Sequence, residues 1–396
     1  MKFSKTAETC HQSPMRKYHP YGVRAKENGK KVYHLNIGQP DIITPPAFLE
    51  TVKNYEEKVV AYAASPGVPE LMNAICNYYK GIGVEYTPAD VLVTTGGSEA
   101  LLIAMNCILD PGDEIIIPEP YYPNYHTFAT VSGAKIHPIS TSPENGYHYA
   151  EEALLEGALT EKSKAILLSN PGNPCGTVLT PAEMRLIADF AKKHDLWLIA
   201  DEVYREFVYG GEALETFGKF DDIADRVIVI DSVSKRFSAC GARIGCLISK
   251  NKELMAHALK FCQSRLSVAT LEQVASTALY NVDGSYFDAV RVEYRNRRDT
   301  VMEGLKKIPG VVCETPGGAF YVMAKLPVDD AEKFLIWLLE EFEDNGETVM
   351  FSPGQCFYAT EGKGIDEIRI AYILKQEDLA RAMELLGKGI EAYNNR

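Results

Sequence analysis

Residues 227–235 read Val-Ile-Val-Ile-Asp-Ser-Val-Ser-Lys. Four consecutive β-branched side chains would put apolar groups on both faces of an extended segment. That is the pattern of a strand covered on both sides, as in a parallel sheet sandwiched between helices. The same pattern recurs outward from this stretch. Val91-Leu92-Val93, Ile115-Ile116-Ile117, Ala165-Ile166-Leu167-Leu168 and Leu196-Trp197-Leu198-Ile199 are short, apolar throughout and bounded by Gly, Pro, Asp or Asn. Between them lie amphipathic runs. Ala100 to Leu109 follows the glycine pair Gly96-Gly97, and Met184 to His194 has apolar residues at helical spacing behind Thr180 and Pro181, a capping residue and a first-turn proline. Strand and helix alternate, so the middle of the chain is expected to be α/β: a large domain over residues 46–285 with a mostly parallel sheet covered by helices.

The ends of the chain read differently. A long charged helix is expected over 286–308, ending at Pro309-Gly310. Strands follow near Phe320–Met323 and Ile368–Ile373, with helices near Lys333–Phe342 and Glu377–Tyr393. This is the pattern of a smaller α+β domain. Pro45-Pro46 breaks the chain ahead of the first large-domain helix, which assigns residues 1–45 to the small unit along with 286–396.

Composition narrows the function classes. The 396 residues are 46% hydrophobic and 24% charged, ordinary for a folded soluble protein. A formal net charge of −13 argues against nucleic acid and anionic membranes as partners. The nine cysteines are scattered, with no C-x-x-C pair, which fits free thiols in a reducing compartment better than a disulfide framework or a zinc site. Met1 to Cys10 has no apolar targeting core, and no stretch reaches the ~18 apolar residues a membrane helix needs. A cytoplasmic location is expected.

Open parallel sheets hold ligands beyond the carboxyl ends of their strands. Gly97 and Ser98 follow the first strand; Asn170 to Thr177 follows Ala165–Leu168; Asp201 and Tyr204 follow Leu196–Ala200; Ser232 and Lys235 follow Val227–Asp231. Taken singly, each has an ordinary reading: a tight turn, a helix cap, a solvated lysine. Arg243 alone would be a surface charge, and Cys175 a small filler. Together they suit a phosphorylated pyridine aldehyde. Backbone N–H groups at Gly97 and Ser98 can bind a phosphate at a helix start, and Arg243 offers a planar fork to its oxygens. Lys235 can form a Schiff base with a carbonyl. Asp201 can keep a pyridine nitrogen protonated, so that the ring draws electrons.

The run Asn170-Pro171-Gly172-Asn173-Pro174-Cys175-Gly176, then Asp201-Glu202-Val203-Tyr204, then Ser232-Val233-Ser234-Lys235 with Arg243-Ile244-Gly245, resembles the class I aminotransferases of the aspartate aminotransferase family, fold type I. The likeness extends over Leu35 to Asp41, Tyr62 with Pro66 to Leu71, Gly318 to Tyr321, and Arg369. It implies pyridoxal 5'-phosphate (PLP) as cofactor, anchored on Lys235, which also carries the proton of the reaction. It implies Asp201 on the pyridine nitrogen, and Asn173 and Tyr204 on the phenolic oxygen. Gly97, Ser98, Ser232 and Arg243 would hold the phosphate, with Tyr62 reaching in from the second subunit of a homodimer. Tyr122 would stack on the ring. Arg369 would clamp the substrate α-carboxylate beside Asn173, with help from the backbone at Gly38. The substrates implied are an amino acid and a 2-oxo acid, aspartate and 2-oxoglutarate being the pair most in keeping with the family.

One departure bears on the substrate. Related aspartate-using enzymes of this subgroup can carry a lysine in the glycine turn, where this chain has Ser98. Arg265, in Gln263-Ser264-Arg265-Leu266, lies in a stretch that in the family approaches the neighbouring subunit's active site, and is a candidate for a second carboxylate or for the phosphate, a plain surface arginine being the alternative. If Tyr121, Tyr122 and Tyr125 instead form an apolar wall, alanine or aromatic amino acids would compete. Other readings have their own signatures. Ser232-Val233-Ser234-Lys235 fits the S-x-x-K pattern of serine β-lactamases, but the S-D-N and K-T-G partners are missing from the chain. A phosphate-ligand sensor on the same fold would give the lysine and the Asp–Tyr pair no reason to converge, and related regulators carry a DNA-binding domain that has no room ahead of Gly38. A carbon–sulfur lyase or decarboxylase would share the fold and the cofactor.

Overall fold

The computed structural model describes residues 1–10, 13–211 and 214–396. The apolar strands pair into a seven-stranded sheet in the order Val91–Thr94, Gly245–Ile248, Val227–Ser232, Trp197–Asp201, Ser163–Ser169, Glu114–Glu119, Lys135–Ser140. All run parallel except Gly245–Ile248, which is antiparallel to both neighbours. After Ser232 the chain makes only the short helix Val233–Arg236 and the turn Cys240–Ala242 before re-entering the sheet. No long crossover carries it back to the start of the sheet, so it returns in the opposite direction.

Period-two alternation explains why these strands read as apolar throughout. Val91, Val93, Ile166, Leu168, Leu198, Val227 and Val229 face one core layer, packed under Leu71, Ile75, Tyr79 and Ile187. Leu92, Ala165, Leu167, Ile199, Ile228 and Ile230 face the opposite layer, under Ala100, Ile103, Ala104 and Ala258. The helix Pro181–Lys193 starts as its sequence predicts. The Thr180 hydroxyl accepts from the Glu183 N–H, and the Glu183 carboxylate accepts from the Thr180 N–H in return.

A second assembly is built from the chain ends. Glu367–Ala371 pairs antiparallel with Tyr321–Lys325 and with Ser352–Pro353, while Lys31–His34 runs parallel to Glu347–Met350. The helices Gly284–Leu305, Ala331–Glu340 and Gln376–Asn394 cover these strands around Val301, Phe334, Leu338 and Leu386, and Tyr18, Ala25 and Leu35 pack into the same cluster. Lys30 ties the N-terminal segment down by donating to the carbonyls of Leu339, Glu340 and Phe342. Among the described residues, no helix is long and apolar enough to cross a membrane.

Candidate active site

The parallel registers bring Ser169 beside Asp201, and Asp201 beside Ile230. The carboxyl ends of the central strands therefore open on one edge, and a cavity of about 760 Å³ lies there. It is lined by Gly38, Gly97, Ser98, Tyr122, Asn173, Asp201, Tyr204, Ser232, Lys235, Arg243 and Arg369. Of the site residues expected from the sequence, only Tyr62, 80% exposed on the single chain, and the candidate Arg265 lie outside this space.

One end of the cavity is an anion cradle. The 13-residue helix Gly96–Ile108 points its N-terminus into it, with unpaired N–H groups and the positive end of the helix dipole. Gly96 takes φ +72°, and a Cβ there would lie 2.4 Å from Nη2 of Arg243. A Cβ on Gly245 would meet the backbone of Gly96 and Gly97 at 2.5 and 2.6 Å. Only glycines let the antiparallel strand, the helix start and the guanidinium come this close. Arg243 donates to the carbonyls of Cys240 and Thr95, at 3.0 and 3.5 Å. Ser232 caps the next short helix, its hydroxyl accepting from the Ser234 N–H at 3.1 Å.

Asp201 forms the floor. It is 5% exposed, and burial raises its carboxyl from the ordinary 3.8 to about 6, against the lowering effect of the hydroxyl that Tyr125 donates at 2.6 Å. Beneath the lysine strand, Asp231 accepts from Arg205 (2.7 Å), Arg236 (2.5 Å) and Tyr79 (3.0 Å). Burial works against ionisation of Asp231, but the Arg236 and Arg205 guanidiniums outweigh it and hold the carboxyl below its ordinary value. This network fixes the strand end that carries Ser232 and Lys235.

Lys235 donates from Nζ to the carbonyl of Gly38 at 2.7 Å, and the thiol of Cys240 lies 3.9 Å away. Above it, Arg369 is 2% exposed and donates to Oδ1 of Asn173 (3.1 Å) and to the carbonyl of Asn36 (2.9 Å). Its Nε is buried without a hydrogen-bond partner. Asn173 Nδ2 donates to the Tyr204 hydroxyl at 3.4 Å, which shares a 2.9 Å hydrogen bond with the Tyr321 hydroxyl. Burial pushes the Tyr204 phenol well above its ordinary value, so it stays a neutral donor.

Some expectations resolve differently. Arg265 is absent from the cavity wall; its Nε lies 2.8 Å from a Glu99 carboxylate oxygen and its Nη2 donates to the Val93 carbonyl at 2.6 Å. It is held as a strut between helices, and its charge is already matched. The three tyrosines do not form one apolar wall. Tyr122 lines the cavity, Tyr125 spends its hydroxyl on Asp201, and Tyr121 is buried outside the cavity wall. Cys175 is enclosed, with its thiol pushed well up by burial, consistent with a filler. Sequence reasoning named Tyr125 only as part of a possible apolar wall, and Asn36, within Leu35 to Asp41, was given no role. Tyr321 was visible in Gly318-Ala319-Phe320-Tyr321, but without a role.

An amine, a buried acid, an anion cradle and a buried arginine around one crevice define an enzyme site for a small anionic ligand with carbonyl–amine chemistry. The chain belongs to the aminotransferases of class I and II, whose family model matches residues 30–386. An aspartate aminotransferase of Bacillus subtilis is 30% identical over 379 residues, covering 93% of this chain and 94% of the relative. Among solved structures, the Thermus thermophilus aspartate aminotransferase with maleate superposes at TM-score 0.89 with 27% identity, covering 98% of this chain and all of that one. A Pyrococcus furiosus alanine aminotransferase also gives 0.89, at 29% identity, covering 99% of this chain and all of that one.

Proposed function

We propose that this aminotransferase moves an amino group from an L-amino acid to a 2-oxo acid on PLP anchored at Lys235, with aspartate and 2-oxoglutarate as the preferred pair. The observation that carries it is the meeting of Lys235, Asp201, the Gly97–Ser98–Arg243 cradle and Arg369 in one cavity. The site fits the cofactor on its own terms. The buried Asp201 carboxyl is costly to ionise alone, the glycine-lined helix start has a guanidinium laid against it, and Arg369 has an orphaned donor.

Bound PLP supplies an aldehyde that captures amines and a pyridine ring that accepts electron density while its nitrogen is protonated. Asp201, oriented by Tyr125, would hold the proton on that nitrogen. Asn173 and Tyr204 would face the phenolic oxygen, with Tyr122 beside the ring. Gly97, Ser98, Ser232 and Arg243 would hold the phosphate, joined by Tyr62 of the partner subunit. Lys235 would anchor the aldehyde, and its amine would move a proton at the substrate α-carbon. Arg369, with Asn173 and the backbone at Gly38, orients the α-carboxylate so that the reacting C–H bond faces Lys235.

The accompanying readings are a homodimer with two composite sites, a cofactor-binding domain over 46–285 with a smaller domain from 1–45 and 286–396, and a cytoplasmic location. The separate packing cluster of the chain ends supports the division, and nine free thiols fit a reducing compartment. The test is spectroscopic. The visible absorbance of the holoenzyme should fade with an amino acid and return with a 2-oxo acid, and borohydride should fix the pyridoxyl group on Lys235. Release of ammonia and pyruvate would mark a lyase instead, and label on another lysine would refute the anchor.

A further inference from the structure

We propose that Tyr321 is a positioning residue: its hydroxyl donates to the Tyr204 oxygen and so commits the Tyr204 proton to the phenolic oxygen of the cofactor. The proposal rests on the aminotransferase reading and deepens it.

A phenol has one proton to give and two lone pairs with which to accept. The buried Tyr204 hydroxyl lies 2.9 Å from the Tyr321 hydroxyl and accepts from the Asn173 amide at 3.4 Å. Were Tyr204 to donate to Tyr321, its only proton would be turned away from the cofactor, and its oxygen would face an anionic oxygen lone pair to lone pair. The Tyr321 hydroxyl has no other hydrogen-bond partner among the described residues, so its proton is available to Tyr204. With an anionic phenolic oxygen beside it, Tyr204 then accepts from Tyr321 and from Asn173 and donates to the cofactor. Every lone pair and proton of the Tyr204 hydroxyl is used. The second amide proton of Asn173 stays free for the same phenolic oxygen.

Packing holds Tyr321 to this task. It opens the strand Tyr321–Lys325, is 2% exposed and lines the cavity. Its hydroxyl sits against Gly38, where an added Cβ would lie 1.8 Å from the oxygen, and its ring packs edge-on to Tyr204 at 5.6 Å. The register sets Ala371 opposite Tyr321 and so brings Arg369, two residues earlier on the same face, diagonally over the ring. The guanidinium carbon lies 4.5 Å from the ring centroid. The Gly38 carbonyl in turn accepts from Nζ of Lys235 at 2.7 Å. One side chain thus touches the phenol facing the cofactor, the arginine for the α-carboxylate and the backbone residue that holds the anchor lysine.

The test is a pH titration of the visible absorbance of the holoenzyme, which follows the proton on the nitrogen joining Lys235 to the cofactor. Tyr321→Phe keeps the ring beside Arg369 and Gly38 and removes only the hydroxyl. A phenolic oxygen less well stabilised as an anion makes the neighbouring nitrogen hold its proton more tightly. A hydroxyl that accepts a hydrogen bond donates more strongly by ~10–30%, so losing the Tyr321 hydroxyl should raise the titration midpoint by roughly 0.3–0.6 pH units. Tyr204→Phe should raise it further. Adding Tyr321→Phe to Tyr204→Phe should move it by less than about 0.1 more, because the effect travels through Tyr204. An unmoved midpoint in Tyr321→Phe, even with a lowered urea midpoint, would make the residue merely structural and overturn the proposal. An equal shift with and without the Tyr204 hydroxyl would overturn it as well. Failure of the aminotransferase reading would appear separately, as wild-type absorbance unmoved by any amino acid; the pH titration decides the role of Tyr321 even then, because it needs no turnover.

Discussion

Replacing Asp201 with asparagine should stabilise the cofactor-free protein while crippling the holoenzyme. Burial raises the Asp201 carboxyl from 3.8 to about 6, a shift of roughly two units, each equivalent to ~1.4 kcal/mol. The folded state therefore holds this proton more tightly than the unfolded chain does. Below about pH 4 the carboxyl is neutral in both states and carries no penalty. As pH rises from 4 to 6 the unfolded chain ionises first, and the fold loses about 3 kcal/mol, a loss complete just above pH 6. Asparagine keeps the shape, can accept the Tyr125 hydroxyl through its oxygen, and has no proton to lose. Urea denaturation of both cofactor-free proteins between pH 4 and 7.5 should give nearly equal stabilities at pH 4, with the variant ahead by about 3 kcal/mol at pH 7. With cofactor the order should reverse, because asparagine cannot hold the ring nitrogen's proton. A stability difference that stays constant with pH, or a wild type that is the more stable cofactor-free protein at pH 7, would refute the reasoning.

Other perturbations probe the remaining walls. Gly38→Ala would put a Cβ 1.8 Å from the Tyr321 hydroxyl; pushing that ring off Tyr204 should lower kcat/KM by about a hundredfold, as ångström-scale misplacement does, in a protein that still folds. Arg369→Gln should reduce kcat/KM by about thirtyfold or more for every amino acid alike, because a buried charge contact common to all substrates is lost; a loss confined to aspartate would contradict its place at the α-carboxylate. Tyr62→Phe should loosen cofactor retention about tenfold or more in equilibrium dialysis, and a fully active monomer in sedimentation would remove the shared site altogether.

The large sheet was legible because buried parallel strands leave a strong signature: short runs apolar on both faces, each followed by a polar residue where the strand emerges. Val227–Ser232 and Trp197–Asp201 carry Lys235 and Asp201 just beyond such ends, so both residues stand out from the sequence. Gly245–Ile248 was not read as a strand, and its direction would have stayed hidden anyway, because an antiparallel strand covered on both faces has the same residue pattern as a parallel one. Lys31–His34 and its partner Glu347–Met350 are four residues each and more than 300 apart, too short for periodicity to register. Tyr125 lies 76 residues from Asp201, and no local pattern announces that a buried phenol will orient a buried acid.

The arginines show why charge can be counted from sequence while its availability cannot. Arg205 and Arg236 share the Asp231 carboxylate, and Arg265 pairs with Glu99. Each of these cations is neutralised by an acid of the scaffold, five residues away for Arg236 and in a distant element for Arg265. The cations of the cavity are held otherwise. Lys235 donates to the Gly38 carbonyl, Arg243 to those of Cys240 and Thr95, and Arg369 to Asn36 and the Asn173 amide. Neutral acceptors fix the geometry without cancelling the charge, so the positive potential is left for a phosphate and carboxylates to use. A chain with a formal charge of −13 can thus present a locally cationic pocket to anionic ligands. By the same criterion Arg265, paired with Glu99 of its own chain, differs from Arg243 and Arg369, which reach the cavity with neutral partners.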